Sequence, residues 1–557
     1  MNTSVFTHLL NVVLFWTLSN TILFAQESVS TKASPWSNVV KDSTELIVYN
    51  VKEFGARGDG RHIDSDAVNR AIEVASEHEG GIIFFPAGEY ACYSIRLKSH
   101  ITLYLSNGAV IKAAVPTEER GYDLPEENEF TEYQDFGHSH WQNSLIWGLG
   151  LHNVTIEGDG LIDGTEGLGR WRRRNSKVAE GNKAIALKNC RNVTIRDISM
   201  LRCGHFALLL TGVDNLTLNN LKVDTNRDAF DIDCCANVRV SDCTVNTLND
   251  DAIVLKSSYA LGYAKPCENV TITGCQVSGY DIGTLLDGTF ADNVEKAPDQ
   301  DGPTGRIKFG TESNGGFKNI TISNCVFDRC RGLALETVDG GTIEDITVTG
   351  IVMRNIQNSP IYIRLGNRAR GPKDTTPVAK VRRINISNVI VKDADCRYAS
   401  IIAGIPGHPI EDVSLENIYI QYRGGLSMVH ASEQPDSLIN NFFTRKDPII
   451  SRKPYDIPER IADYPEPSTM GILPCYGLFI RHAKNLTLRN IRLETIEEDG
   501  RPAVVLMDVD GIEFNQMKVS KTPDVPCLVL KEVSRFQAEN FNDIKSTKIN
   551  RAKNKEL

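Results

Sequence analysis

Eight stretches of the chain alternate polar and apolar residues in the same way. They are NVTIRDISM (192–200), NLTLNNLKV (215–223), NVRVSDCTV (237–245), NVTITGCQV (269–277), NITISNCVF (319–327), RINISNVIV (383–391), DVSLENIYI (412–420) and NLTLRNIRL (485–493). Each runs polar, apolar, polar, apolar, then a polar pair, then apolar again. Alternation with period two marks a strand that buries one face, and the polar pair marks a turn inside the phrase. The closest phrases start at 192, 215 and 237. A unit of that length holds two or three short strands and cannot cover its apolar face alone. Stacking unit on unit in parallel does cover it. An antiparallel sandwich would not keep Asn at one phase at the head of each unit. The pattern therefore predicts an all-β chain, a right-handed parallel β-helix. The longer gaps, 237 to 269, 269 to 319 and 420 to 485, read as insertions looping from one side.

The ends of such a coil need caps. The segment DSDAVNRAIEVASEHEGG sets Val68, Ala71, Ile72 and Ala75 on one helical face, with Asp64 or Ser65 as N-cap and Gly80 past the end. This short N-terminal capping helix is expected to lie across the first coil. A length of 557 residues suggests three or four domains, but the repeat merges them into one over 49–542. The tail 543–557 is basic, lacks apolar period and is expected to fray. A Pro-rich segment at 464–482, after a stretch without the repeat phrase (about 425–463), is expected to form a loop against the coil. With the 278–304 insertion it would wall off one end of a cleft, which favours attack from a chain end.

Composition narrows the function classes. Hydrophobic residues at 41% and charged residues at 24% are globular values. A net charge of −10 disfavours nucleic acid as a partner. The one long apolar stretch, Leu9 to Ala25, reads as a signal peptide cleaved after Ala25. The alternative is an uncleaved anchor, since MNTSVFTH carries no Lys or Arg. The mature chain is expected to be secreted or periplasmic, monomeric and off the membrane. Thirteen cysteines are too sparse for a disulfide scaffold. Cys190, Cys243, Cys275 and Cys325 are expected at one place in the phrase, as stacked small buried residues. Cys234-Cys235 lack zinc-ligand spacing, and neither metal nor cofactor is expected.

Acidic residues follow two phrases in register. The first is followed by Asn226-Arg227-Asp228 and AFDID, the next by Asn249-Asp250-Asp251 and AIVLK. Asp228 and Asp250 lie one unit apart and are expected on neighbouring rungs, about 4.8 Å from each other, with Asp251 beside them. Three carboxylates so close repel, so at least one should hold a proton beside ionised neighbours. That is equipment for glycoside hydrolysis, and carboxylates that splay apart leave room for a water and favour inversion. A calcium site and a polar ladder capping turns are the alternatives. Asp231 and Asp233 read as ladder residues.

Over most of residues 49–520 the chain resembles glycoside hydrolase family 28, the polygalacturonase family. The opening VKEFGARGDG, the segment NVTIEGDGLIDG and the two acidic rungs carry the resemblance. It implies a pectin-lyase-like solenoid and an inverting, metal-free hydrolase of galacturonosyl bonds in pectic polysaccharide or oligosaccharides. By resemblance Asp250 would be the general acid, with Asp228 and Asp251 holding and deprotonating the water. Asn226 and Asn249 would line the substrate site. The family has N-T-D where this chain has Asn226-Arg227-Asp228.

The family's next rungs carry G-H-G and then R-I-K. By phase, Arg306-Ile307-Lys308 stands on the G-H-G rung, Gly305 or a neighbour replaces the histidine, and Ala334 and Glu336 stand where Arg and Lys would be. Two readings follow. Either a uronate clamp has moved to Arg306 and Lys308, with Arg364 one rung beyond Glu336, or the subsite holds a neutral sugar such as rhamnose whose hydroxyls donate to Glu336. GRWRRRNSK (170–177 with Gly169) suits an anionic glycan or a solvated loop, and His138, His140 and Trp141 are expected to shape the cleft rather than bind metal. The rival classes are a polysaccharide lyase and a non-catalytic glycan-binding solenoid.

Overall fold

The computed structural model describes residues 47–135, 138–169, 180–293, 301–542 and 544–557. The expected leader and the basic cluster after Gly169 lie outside the described residues. Within Val48–Leu557 the strands form coil after coil. Phe206–Thr211, Asp214–Asn219 and Lys222–Thr225 make one coil, and Phe230–Asp233, Ala236–Ser241 and Thr244–Thr247 the next. Each strand pairs in parallel with its counterpart, Leu208 with Phe230, Leu216 with Val238, Val223 with Val245. The right-handed parallel β-helix is the fold.

The repeat phrase explains the corners. Asn192, Asn215, Asn237, Asn269 and Asn319 all have φ between 55° and 59°. That left-handed bend is one Asn tolerates better than most residues. Their amides also form a ladder, Asn192 to Asn153 at 2.8 Å and Asn215 to Asn192 at 3.0 Å. Inside, Leu210, Ile232, Leu255 and Phe309 stack in register with no exposed surface. Each such side chain contributes roughly 1.5–3 kcal/mol of burial.

Beyond Thr337 the second and third strands of a coil fuse, as in Ile343–Ile356, Val381–Ala394 and Leu478–Thr495. Between Tyr422 and Leu478 the chain leaves the coil in an excursion with two short helices, Met428–Glu433 and Pro467–Met470. The expected loop at 464–482 therefore ends earlier, because Leu478 onward rejoins the sheet. The capping helix is Ser65–Glu77, burying Val68, Ala71, Ile72 and Ala75. Its Asp64 accepts from the amides of Arg57 and Gly58 instead of capping the helix.

Two expectations are corrected. The tail does not fray: Thr547–Glu556 is a strand antiparallel to Leu528–Phe541, with Phe536 opposite Ile549 and Val533 opposite Ala552. It covers the last open edge, and its Ile549 and Ala552 pack on the core. Nor do the four cysteines share one column. Cys243, Cys275 and Cys325 stack, but Cys190 precedes its phrase and aligns with Cys235 and Cys267. All thirteen are free thiols. Among the described residues, no helix is long and apolar enough to cross a membrane.

Candidate active site

The carboxylates meet at the corner where strands Phe230–Asp233 and Ile253–Ser257 begin. Register corrects the expected match. Thr225 pairs with Thr247, but Phe230 pairs with Ile253. The corner carrying Asp250 thus has one residue more than the corner before it. Asp251, not Asp250, stands opposite Asp228, and Asp250 stands opposite Arg227. The extra residue pushes Asp250 outward: its side chain is 21% exposed, against 6% for Asp228 and 5% for Asp251. Oxygens of all three lie within 4.8 Å of one another. The Asp251 amide donates to Asp250 Oδ1 at 3.1 Å and approaches Asp228 Oδ1 at 3.3 Å.

These carboxylates do not splay as expected. Oxygens no more than 4.8 Å apart can still be bridged by one water, which spans about 4.4 Å with two hydrogen bonds of normal length. Electrostatics divide them. Burial, and after it the charge of Asp250, push the Asp228 carboxyl well above its usual range. Burial acts on Asp250 too, but the Arg227 guanidinium, 2.7 Å away, and a hydrogen bond with Asp228 hold it below the usual range. Burial thus favours a proton on Asp228, and Arg227 favours the charge on Asp250.

A pocket of about 240 Å³, open to solvent, contains all three. On one flank, Lys256 Nζ lies 2.9 Å from Asp231, 3.4 Å from Asp228 and 3.6 Å from Glu312. Burial disfavours its charge, but those carboxylates outweigh burial and keep it an ammonium. Asp231, expected in a turn ladder, instead joins this cluster and accepts from buried His138 at 2.8 Å. Asp233 fits the ladder, accepting from the Ser258 amide and hydroxyl. The corner between His138, Asp228 and Asp231 would suit a cation, and Lys256 supplies one from the chain itself.

On the other flank, Arg306 and Lys308 line the pocket but are committed to carboxylates. Arg306 bonds Asp251 at 2.9 Å and Glu466 at 2.9 Å. Lys308 reaches Asp251 at 3.3 Å and the Tyr464 hydroxyl at 3.0 Å. This pairing runs against a free uronate clamp. Gly305 does stand opposite Asp251. A Cβ there would lie 2.2 Å from the Ser278 carbonyl oxygen, so no histidine fits.

Two expected ligands are outside the pocket. Glu336 is fully buried behind Arg306 and Lys308, 4.0 and 3.7 Å away, and neither of its oxygens accepts a hydrogen bond. It cannot reach a sugar, and burial pushes its carboxyl up to about 7. Arg364 is 1% exposed and donates to the carbonyls of Gly404, Glu459 and Arg460, so it staples the excursion to the coil. Asn249 lines the pocket and donates to Asn226, which lies one rung behind it. Of the GHSHW segment, His138 lines the pocket, whereas Trp141 is buried against Ala186, Phe206 and Leu209.

The segment at 464–482 was expected to wall the cleft, but the sequence singled out none of the side chains that do so. Phe442, Phe443, Tyr464 and Glu466 form one wall, and Phe443 and Tyr464 stack with centroids 4.5 Å apart and planes 5° apart. No periodicity marks them. Lys256, by contrast, sits in the AIVLK strand in register with Asp233, and its phase was readable.

Fold and site define a parallel β-helix with a carboxylate trio in a walled pocket. Residues 48–281 match the family described as "Rhamnogalacturonase A/epimerase, pectate lyase-like". The chain is similar to the "Probable polygalacturonase" of Vitis vinifera, 24% identical over 66% of this chain and 73% of that protein. It is also similar to the "Exo-poly-alpha-D-galacturonosidase" of Dickeya chrysanthemi, 23% identical over 73% of this chain and 72% of that one. Among solved structures, the Yersinia enterocolitica family 28 exopolygalacturonase superposes with a TM-score of 0.52 at 16% identity, covering 89% of this chain and 79% of its own. The chain is thus similar in sequence to polygalacturonases and in fold to a family 28 exopolygalacturonase.

Proposed function

We propose that the protein is a secreted or periplasmic glycoside hydrolase that removes the terminal sugar from pectic oligosaccharides by an inverting reaction at Asp228, Asp250 and Asp251. The observation that carries this is the trio itself: three carboxylates with oxygens within 4.8 Å of one another, of which Asp250 reaches into the pocket. Asp250 protonates the leaving oxygen as the C–O bond breaks, drawing on the proton it shares with Asp228. A water held between Asp228 and Asp251 attacks the anomeric carbon from the opposite face. Asp228, now ionised, takes the proton that water loses, so the pair ends with the one proton it began with and the net reaction adds one water. The excursion wall supports action from a chain end, as does the name of the Dickeya relative. No metal or cofactor takes part in this scheme. The polygalacturonase-like relatives and the three-acid pattern favour a hydrolase over a lyase, which would abstract a proton from the sugar and yield unsaturated, ultraviolet-absorbing product.

The test is proton NMR of pectic oligosaccharides during turnover, with Asp250→Asn alongside. An α-linked substrate should give the β-anomer first and no unsaturated product. Asp250→Asn should lose roughly 10²–10⁴ in kcat while still binding substrate. Unchanged turnover in that variant sinks the acid assignment, and a retained anomer sinks the water scheme.

A further inference from the structure

The excursion brings a carboxylate to the place where an acidic sugar would need cations. Glu466 is wholly buried. Its Oε2 accepts from Arg306 Nη2 at 2.9 Å, and its Oε1 accepts from Arg331 Nη1 and Asn358 Nδ2, both at 3.0 Å. Two guanidinium groups and an amide thus surround one carboxylate, the donor set that would bind a uronate. Burial works against its charge, but Arg306 and Arg331 outweigh burial and keep it ionised.

Nothing in the local structure lets Glu466 leave. It opens the helix Pro467–Met470, whose four residues are all buried, and its carbonyl accepts from the Thr469 amide and hydroxyl. Arg452 holds the far end through the carbonyls of Met470 and Ile472. The remaining cations are equally occupied: Arg227 by Asp250, Lys256 by Asp231 and Glu312, Lys308 by Asp251. A uronate entering here would have to displace a buried carboxylate from its cations and leave that charge uncompensated. Beside these pairs, Phe442, Phe443 and the Tyr464 ring offer an apolar surface.

We infer that Glu466 is a built-in replacement for a substrate carboxylate, so that the sugar bound against Asp251 and this aromatic wall is neutral, a 6-deoxyhexose such as rhamnose rather than galacturonate. The inference rests on the hydrolase reading above and sets its specificity: the pectic oligosaccharide is cut where its terminal residue carries no charge.

The experiment uses the full mature chain and two sets of oligosaccharides alike except for the terminal sugar, rhamnose in one and galacturonate in the other. Wild-type protein should release free rhamnose, with kcat/KM higher by about 10² or more than on the uronate-terminated set. Glu466→Gln frees two guanidinium groups and should shift that ratio toward the uronate by about tenfold or more. Release of galacturonate by the wild type overturns the inference while leaving the hydrolase reading intact, and so does an unchanged ratio in a folded Glu466→Gln. Cleavage of neither set overturns the hydrolase reading. The pocket is then judged by saturation-transfer NMR with the free monosaccharides, where galacturonate binding tighter than rhamnose overturns the inference. The wild-type arms do not depend on the variant folding.

Discussion

Arginine–carboxylate pairs on the outer wall and those under the pocket use the same groups to different ends. On the wall, Arg382 meets Glu344 at 2.8 Å, Arg383 meets Asp345 at 2.6 Å and Arg535 meets Asp510 at 2.8 Å, each tying one coil to the next. Under the pocket, Arg227 meets Asp250, and Arg306 meets Asp251 and Glu466, at similar distances. What differs is water. Wall side chains lie on the outside of the fused strands and are about a fifth to three fifths exposed, so their attraction is screened. Pocket side chains lie at corners, beneath the excursion, where the same attraction decides which oxygen carries a proton. Distance alone therefore does not identify a functional ion pair.

The largest expected effect in this comparison falls on Arg227. Arg227→Thr removes the cation that favours ionised Asp250, so the pair binds its shared proton more tightly. The acid must be protonated to act, and the alkaline limb of the kcat/KM–pH profile should move up by about one unit. An unshifted limb would mean that Arg227 acts on substrate and not on Asp250, and the pocket pair would then resemble those on the wall.

A smaller effect is expected at Glu336, a buried carboxyl pushed up to about 7 with no hydrogen-bond donor. Its folded-state value lies above its unfolded one. Between the ordinary glutamate range and about pH 7, the native chain therefore holds a proton that the unfolded chain has lost. Stability falls as pH rises through that window. Glu336→Gln cannot lose a proton, so its melting temperature should gain on that of the wild type from pH 5 to pH 8. A difference that does not vary with pH would place the charge elsewhere in the Arg306–Lys308 cluster.

The coil was legible because its cause is local. A left-handed corner recurs at one phase, taken by Asn in six of the eight phrases and by Arg383 and Asp412 in the others, and apolar alternation fills the interior. Asp228 and Asp251 were legible for the same reason. The register of Asp250 was not, since one residue added inside a corner leaves the spacing of the phrases nearly intact. Arg364 read as a ligand because a cation on a strand looks functional, and only the excursion carbonyls it holds explain its burial. Glu336 failed likewise, as phase fixes a rung but not whether other side chains stand in front. Glu466 and Tyr464 had no individual signal: their Pro-rich segment pointed to a cleft wall, but long-range packing alone brings these side chains to the acids.

The smallest effect is expected on the wall. Arg382→Ala leaves Glu344 paired with Arg383 at 2.7 Å, so no charge is stranded. The lost pair is more than a third exposed on its arginine side, and screening leaves it worth less than about 0.5 kcal/mol. Urea denaturation at low and high salt should give midpoints close to wild type, with the small difference vanishing in salt. A cost several times larger and insensitive to salt would mean that coil-to-coil ion pairs hold this β-helix together. Burial would then cease to separate the wall from the pocket.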